Sequence, residues 1–143
     1  MFIGEYQHTL DAKGRMFVPS KFRDDLGDTF IVTLGLDNCL FVFPQEEFER
    51  LKAKLDAISI TNKDARTFAR FFFAGASECE MDKQGRIMIP AKLRDYAGLS
   101  KDVTVVGVSN RVELWNTESW ESTHSFENFS PDELSEKMEL LGL

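Results

Sequence analysis

The fold of this chain is decided by a stretch that reads Asp11-Ala12-Lys13-Gly14-Arg15-Met16-Phe17-Val18-Pro19-Ser20-Lys21-Phe22-Arg23-Asp24. It recurs in the second half as Asp82-Lys83-Gln84-Gly85-Arg86-Ile87-Met88-Ile89-Pro90-Ala91-Lys92-Leu93-Arg94-Asp95. The two copies share Asp, Gly, Arg, Pro, Lys, Arg and Asp at the same places, and their hydrophobic positions match in type. A long period seen only twice indicates one unit that was duplicated and fused, not a solenoid array.

The correspondence extends beyond this stretch. At the spacing that separates Asp11 from Asp82, Gly4 matches Gly75 and Gly27 matches Gly98. At a spacing one residue longer, the matching pairs are Gly35 and Gly107, Asn38 and Asn110, Phe43 and Trp115, and Phe48 and Trp120. We therefore expect a first repeat over residues 1–70 and a second over 71–143. Units of this size are marginal alone, which favours a shared core and a pseudo-twofold axis between the halves.

Each repeat shows the same order of local signals. The pattern predicts strands over residues 4–10, 15–18, 30–34 and 39–43, a short helix over 20–26, and longer helices over 44–55 and 63–73. In the second repeat it predicts strands over residues 78–81, 86–89, 103–108 and 112–115, a short helix over 91–96, a helix from 117, and a last helix that Ser130 caps.

The turn at residues 11–14 joins two short strands, because Asp accepts backbone hydrogen bonds and Gly tolerates positive φ. We therefore expect a hairpin over residues 4–18. Isolated hairpins this short are not stable, so interleaving those of both halves into one small closed barrel would pool their apolar faces and remove the sheet edges. The fold class is α+β.

The charge is unevenly distributed. The net charge is −7, but residues 113–143 alone hold eight acidic residues and one basic residue. Residues 11–23 and 82–94 each hold four basic residues against one acidic residue. Local potential decides where a polyanion binds, so the overall charge does not exclude nucleic acid.

Several classes of site are disfavoured. Cys39 and Cys79 form no CxxC or metal-binding pattern, and His8 and His124 are too few for a histidine-based metal site. We expect neither metal nor cofactor. With no apolar run of membrane-spanning length and no signal-peptide pattern, a reduced, cytoplasmic setting is expected.

The repeated Asp-x-x-x-Arg pair allows three interpretations. It is a structural turn with a surface ion pair, or half of a symmetric two-aspartate catalytic site, or a loop that contacts nucleic acid. Cationic neighbours would hold both carboxylates ionised, which disfavours catalysis. Arginine binds guanine O6 and N7, and lysine neutralises phosphate, as a duplex-binding surface requires.

Two other clusters have simpler interpretations. One cluster contains four phenylalanines: Phe68, Phe71, Phe72 and Phe73. It is either an aromatic platform that stacks on single-stranded nucleic acid or, because of its helical spacing, part of the core or of a subunit interface. If it is core or interface, Phe72→Asp should disrupt assembly. Glu78 and Glu80 alternate with Asp82 and suggest either a cation site or the solvent face of a strand.

The doubled Asp-x-x-Gly-Arg motif, each copy followed by three hydrophobic residues and Pro19 or Pro90, resembles the MraZ family. These are bacterial transcriptional regulators tied to the division and cell-wall gene cluster, within the wider AbrB-like swapped-hairpin superfamily. The resemblance runs from the N-terminus to about Trp120, and the acidic segment after about Phe126 matches no motif.

The resemblance implies a double-split β-barrel of two swapped-hairpin halves flanked by helices. It implies a homo-oligomeric ring at the nucleoid, with an octamer favoured. The ring would bind double-stranded DNA sequence-specifically at G-rich direct repeats in the promoter of its own operon and would repress or autoregulate that operon. Arg15 and Arg86 would contact DNA with support from Lys13 and Lys83. Asp11, Asp82, Gly14 and Gly85 would order the turns, and the looser phosphate candidates are Lys21, Arg23, Lys92 and Arg94.

An enzyme is not expected. The alternative function is a ring-forming scaffold whose basic loops bind a protein partner. Salt discriminates the two, since DNA binding through Lys and Arg weakens steeply as salt rises.

Overall fold

The computed structural model describes residues 1–143 and contains eight strands and six α-helices. In the first half these are β1 (Phe2–Thr9), β2 (Arg15–Phe17), α1 (Ser20–Leu26), β3 (Thr29–Leu34), β4 (Leu40–Pro44), α2 (Gln45–Asp56) and α3 (Lys63–Ala74). The second half contains β5 (Ser77–Glu80), β6 (Arg86–Met88), α4 (Ala91–Ala97), β7 (Asp102–Ser109), β8 (Val112–Asn116), α5 (Thr117–His124) and α6 (Pro131–Leu140). Every predicted strand and helix is present, with ends that differ by one or two residues, and the class is α+β as predicted.

Six strands form one antiparallel sheet in the order β1-β7-β8-β4-β3-β5. This order reads the same when the halves are exchanged, since β1 corresponds to β5, β7 to β3, and β8 to β4. The pairing of β4 with β8 is centred on Phe41 opposite Glu113, two residues that occupy equivalent places in the repeats. The sheet therefore has the pseudo-twofold symmetry that the duplicated sequence predicts, with β1 and β5 at its two ends.

The remaining strands, β2 and β6, form a separate two-stranded antiparallel ladder, which we call the ribbon. Arg15 lies opposite Met88, Met16 opposite Ile87, and Phe17 opposite Arg86. The centre of the ladder, Met16 and Ile87, is again a pair of equivalent residues. The pseudo-twofold axis thus passes through the ribbon as well as the sheet.

The predicted hairpin over residues 4–18 is wrong in its pairing. The turn exists, closed by the hydrogen bond from the backbone N–H of Asp11 to the carbonyl of Arg15 (2.9 Å). However, β1 pairs over its whole length with β7, and β2 pairs with β6. β7 offers β1 eight paired residues, more than three-residue β2 could offer, and β2 is left to pair with its equivalent, β6.

One hydrophobic core serves both halves. Its twenty buried side chains come from both repeats and include Phe30, Leu40, Ile89 and Leu114. Met16 and Ile87 are 2% and 3% exposed, so the inner face of the ribbon belongs to this core. Because neither half buries these side chains alone, the halves fold as one unit.

Side-chain caps start three of the helices. Asn62 accepts a hydrogen bond from the N–H of Ala65 (3.0 Å) at the start of α3, and Ser130 accepts from Glu133 (3.4 Å) at the start of α6. The cap at Ser130 was predicted from the sequence. All residues of α6 are exposed, including its apolar Leu134 and Met138.

Candidate nucleic-acid interface

The first turn, residues 11–14, is held by the side chain of Asp11. Its Oδ1 accepts hydrogen bonds from the backbone N–H groups of Lys13 and Arg15, both at 2.9 Å. Its Oδ2 accepts from Nε of Arg15 at 2.8 Å. This arrangement uses one edge of the Arg15 guanidinium and leaves both Nη groups without a hydrogen bond to the protein.

The second turn, residues 82–85, repeats the geometry. Oδ1 of Asp82 accepts from the backbone N–H groups of Gln84 and Arg86 at 2.9 Å, and Oδ2 accepts from Nε of Arg86 at 2.9 Å. The Nη groups of Arg86 are likewise unbonded. Each turn therefore aims a guanidinium outward with its orientation fixed by a carboxylate.

These contacts keep both carboxylates ionised. The hydrogen bond from the Arg15 backbone is the main cause that lowers the pKa of Asp11 to about 2, and the corresponding bond from Arg86 lowers the pKa of Asp82. Each aspartate bonds within its own turn and not to the other aspartate. A proton-sharing pair of the kind that aspartic proteases use is therefore not formed.

Each turn glycine has a positive φ of 83° and a second arginine packed against it. A Cβ on Gly14 would lie 2.7 Å from Cζ of Arg94, and Gly85 faces Arg23 in the same way. Arg23 Nε donates to the carbonyl of Val18 (2.9 Å) and Arg94 Nε to that of Ile89 (3.0 Å). These half-buried arginines brace the turn of the opposite half.

Backbone hydrogen bonds complete the exchange between halves. The N–H of Val18 donates to the carbonyl of Gly85, and that of Ile89 donates to the carbonyl of Gly14, both at 2.9 Å. The two turns are thus tied to the two ends of one ribbon. The structure places Asp11, Gly14, Asp82 and Gly85 in the two turns, with Arg15 and Arg86 at the first residues of β2 and β6.

The outer face of the ribbon carries four side chains. Strand alternation places Arg15, Phe17, Arg86 and Met88 outward and Met16 and Ile87 inward. Arg15 and Arg86 sit on a diagonal of the ladder, which puts their Cα atoms about 7–8 Å apart. Their side chains are 33% and 25% exposed.

The sequence did not single out Phe17 and Met88. They are 46% and 58% exposed, and the Arg86 guanidinium lies 6.0 Å from the centre of the Phe17 ring. The hydrophobic triplets 16–18 and 87–89 conceal the alternation because every position is apolar. Only the matching spacing from Arg15 to Phe17 and from Arg86 to Met88 hints that these side chains share the outer face.

The two lysines are not equivalent. Lys13 is the third residue of its turn, where the second turn has Gln84, whereas Lys83 is the second residue, where the first turn has Ala12. Both lysines are exposed, as are Lys21 and Lys92 on α1 and α4. The cationic surface around the ribbon is therefore symmetric in its arginines and asymmetric in its lysines.

The other candidate clusters lie elsewhere or do not converge. Phe72 is 6% exposed in a second core with Phe41, and Phe68 stacks on it from outside at 5.8 Å between ring centres. No three His, Cys, Asp or Glu side chains are arranged to hold a metal ion, which removes the cation-site reading of Glu78, Glu80 and Asp82. None of the six helices has the length and apolar character of a membrane span.

A groove of about 900 Å³ lies beside α2. Phe41, Phe43, Leu51 and Phe72 line it together with Arg50, Lys54 and Arg111, among others. No residue of the two turns or of the ribbon lines this groove. The groove and the ribbon are separate surfaces.

Known proteins match this chain over its whole length. The family model described as "MraZ protein, putative antitoxin-like" matches twice, over residues 1–71 and 72–140. Proteins named transcriptional regulator MraZ are 59% identical over 143 residues in Acetivibrio thermocellus and 54% over 143 residues in Alkaliphilus metalliredigens, each alignment covering 100% of both chains. The protein of that name in Carboxydothermus hydrogenoformans is 55% identical over 138 residues, 96% of each chain.

These matches span both repeats and both turns. The relatives are named as regulators of transcription and not as enzymes, which agrees with the prediction that this chain is not an enzyme. The chain belongs to the MraZ family.

Proposed function

We propose that this protein is a transcriptional regulator that binds double-stranded DNA with the outer face of its ribbon. The observation that carries the proposal is the pair of guanidinium groups that two carboxylates hold outward on one exposed, twofold-like surface. The major groove is about 12 Å wide and admits a two-stranded ribbon. Arginines about 7–8 Å apart at Cα enter one groove together, because successive grooves on one face of DNA are about 34 Å apart.

The roles follow from the contacts. Nη groups of Arg15 and Arg86 donate to guanine O6 and N7, while Asp11, Asp82, Gly14 and Gly85 shape the turns that aim them. Lys13 and Lys83 at the turns neutralise phosphates, with Lys21 and Lys92 further out. Arg23 and Arg94 act chiefly as braces, since their Nε atoms and planar faces are used within the protein.

The architecture we propose is an AbrB-like swapped-hairpin pair, with repeats at residues 1–70 and 71–143 and a double-split barrel. The exchange of β2 and β6 between halves supports it. The sheet and the ribbon share one core, as the two parts of such a barrel do.

We also propose that the chains form a ring, with an octamer favoured, in the cytoplasm at the nucleoid. Leu36 and Phe68 are 49% and 45% exposed next to buried Phe72, which gives an apolar surface for a neighbouring subunit beside the groove. A ring presents one ribbon per chain and suits G-rich direct repeats in the promoter of the division and cell-wall operon. Several weak contacts then add through avidity and offset the net charge of −7.

Fluorescence anisotropy tests this function. Wild type, Arg15→Ala, Arg86→Ala and the double variant are titrated with labelled DNA from upstream of the protein's own gene, against a scrambled duplex, at two salt concentrations. We expect specific binding in wild type, weakened in each single variant and lost in the double variant, with unchanged circular dichroism. Wild-type binding by the double variant would place the DNA surface elsewhere, and no binding by any form at low salt would favour the scaffold function.

A further inference from the structure

We propose that Phe17 and Met88 read the C5-methyl groups of thymines that lie within about two base pairs of the bases contacted by Arg15 and Arg86. This inference rests on the proposed DNA-binding function and adds to it two residues that set sequence preference. It starts from the outer face of the ribbon, where half of the side chains are apolar. Phe17 stands beside Arg86 and Met88 beside Arg15, as directly opposed residues of the ladder.

Packing within the protein does not account for these two side chains. Phe17 is 46% exposed and Met88 is 58% exposed, whereas their inward-facing neighbours Met16 and Ile87 are almost fully buried. Phe17 makes one cation–π contact with Arg86 at 6.0 Å, and no aromatic or cationic contact of this kind involves Met88. Two equivalent positions therefore leave large apolar side chains exposed on the surface that would face DNA.

The spacing along each strand matches the spacing of bases. Residues two apart on a strand are about 6.6–6.8 Å apart, and base pairs rise about 3.4 Å each. A side chain such as Phe17 therefore falls about two base pairs from Arg15. In the major groove the one apolar group on a base edge is the thymine methyl, which apolar side chains contact.

The two apolar side chains also differ in chemistry. Phe17 is rigid and planar, whereas Met88 is flexible and polarisable, so the ribbon loses its twofold equivalence at these positions. Lys13 and Lys83 break the symmetry in the same region. A ribbon with unequal halves distinguishes the two directions of a site, which suits direct repeats better than palindromes.

Deoxyuridine substitution tests the proposal, because it removes only the methyl group. The probe is the segment of upstream DNA that the wild-type protein protects in footprinting, with each thymine replaced in turn. Wild type, Phe17→Ala and Met88→Ala are compared by anisotropy, and Ile60→Ala, which truncates an 83% exposed apolar side chain outside the ribbon, is the matched control.

We expect wild type and the control to lose about fourfold in affinity at each of two thymines, the factor for one buried methyl-sized group. Phe17→Ala should be insensitive to deoxyuridine at one of these thymines and Met88→Ala at another. Specific binding that ignores every deoxyuridine, or a penalty that is equal in wild type and variants, would overturn the proposal and leave the DNA-binding function intact. Absence of specific binding by wild type would overturn both.

Discussion

At the scale of single residues, the carboxylate of Asp11 does three things at once. It closes the turn through two backbone N–H groups, fixes the orientation of Arg15, and leaves the outer edge of that guanidinium free. Asp82 does the same for Arg86. A surface ion pair contributes little to stability by itself, so its value here is the orientation of the arginine before a ligand arrives.

The pKa shifts of the aspartates give a first prediction. Asp11 has a pKa of about 2 in place of 3.8, and that of Asp82 is also lowered, so their ionised forms stabilise the fold above about pH 4. This stabilisation is lost as the pH falls from about 4 to about 2. The double variant Asp11→Asn, Asp82→Asn should therefore melt below wild type at pH 7, and the gap should shrink on acidification.

Melting followed by circular dichroism between pH 7 and pH 2 measures this gap. Asp24→Asn removes an exposed acid that makes no side-chain hydrogen bond and should track wild type throughout. A gap between the double variant and wild type that stays constant over the whole range would contradict the assigned role of the carboxylates.

At the scale of elements, the fold depends on the exchange of the two arms across the turns. Gly14 and Gly85 make this possible, because their backbones have positive φ and lie directly against Arg94 and Arg23 of the opposite half. The carbonyls of the same glycines accept hydrogen bonds from that half. Each of these glycines therefore belongs both to a turn and to the contact between the two halves.

Replacement of these glycines gives a second prediction. A non-glycine residue in the left-handed conformation costs about 1–2 kcal/mol. Gly14→Ala or Gly85→Ala should destabilise the protein by more than this, because the new Cβ must also displace an arginine side chain. Gly98→Ala is the control, because Gly98 has a φ of 63° and no atom within 4 Å of its added Cβ. Urea unfolding that gives equal losses for Gly14→Ala and Gly98→Ala would contradict the packing of Arg94 on the turn.

The aromatic helix α3 gives a third prediction. Phe72 is buried between Phe41 and Phe68, so Phe72→Ala should cost about 3–5 kcal/mol of stability. Phe68→Ala, at a position that is exposed in the single chain, should cost the single chain less than about 1 kcal/mol. Urea unfolding separates the two, and a loss for Phe68→Ala as large as that for Phe72→Ala would contradict the assignment of core and surface.

The sequence predicts the elements well and their partners poorly. Alternation, helical spacing and the cap signal at Ser130 are local, and the strands and helices follow them. The hairpin over residues 4–18 failed because the choice of a partner for β1 depends on a strand about a hundred residues away along the chain. At the candidate site the motif indicated the residue types, whereas the free guanidinium edges and the exposed Phe17 and Met88 depend on that same exchange.

At the scale of the whole molecule, basic and acidic residues are unevenly distributed along the chain. Eight of the 17 basic residues lie at the turns, the ribbon and the short helices, and the acidic excess lies in residues 113–143, including α6, whose residues are all exposed. A local basic surface on an acidic protein binds a polyanion there while the rest of the molecule repels it. Such a protein depends on a few cations, which makes their individual contributions measurable.

The salt dependence of DNA binding gives a fourth prediction. If Lys13 and Lys83 each neutralise one phosphate, the double variant Lys13→Ala, Lys83→Ala should make the slope of log K against log[salt] less negative by about two per bound chain. Its preference for specific over scrambled DNA should persist. Lys52→Ala, which removes a lysine paired with Asp56 on α2, should leave the slope unchanged; an unchanged slope in the double variant would remove these lysines from the interface.

The most direct test of the central claim is binding to upstream DNA in which 7-deazaguanine replaces guanine, which removes the N7 acceptor from the major groove and leaves base pairing intact. Anisotropy with the wild-type protein and the Arg15→Ala, Arg86→Ala variant measures the effect. The account predicts that wild type binds the substituted duplex at least about tenfold more weakly than the natural one, because Arg15 and Arg86 each lose one of the two hydrogen bonds of a bidentate contact. The variant should not distinguish the two duplexes. Equal wild-type affinity for both duplexes would contradict the claim that the two arginines read guanines in the major groove.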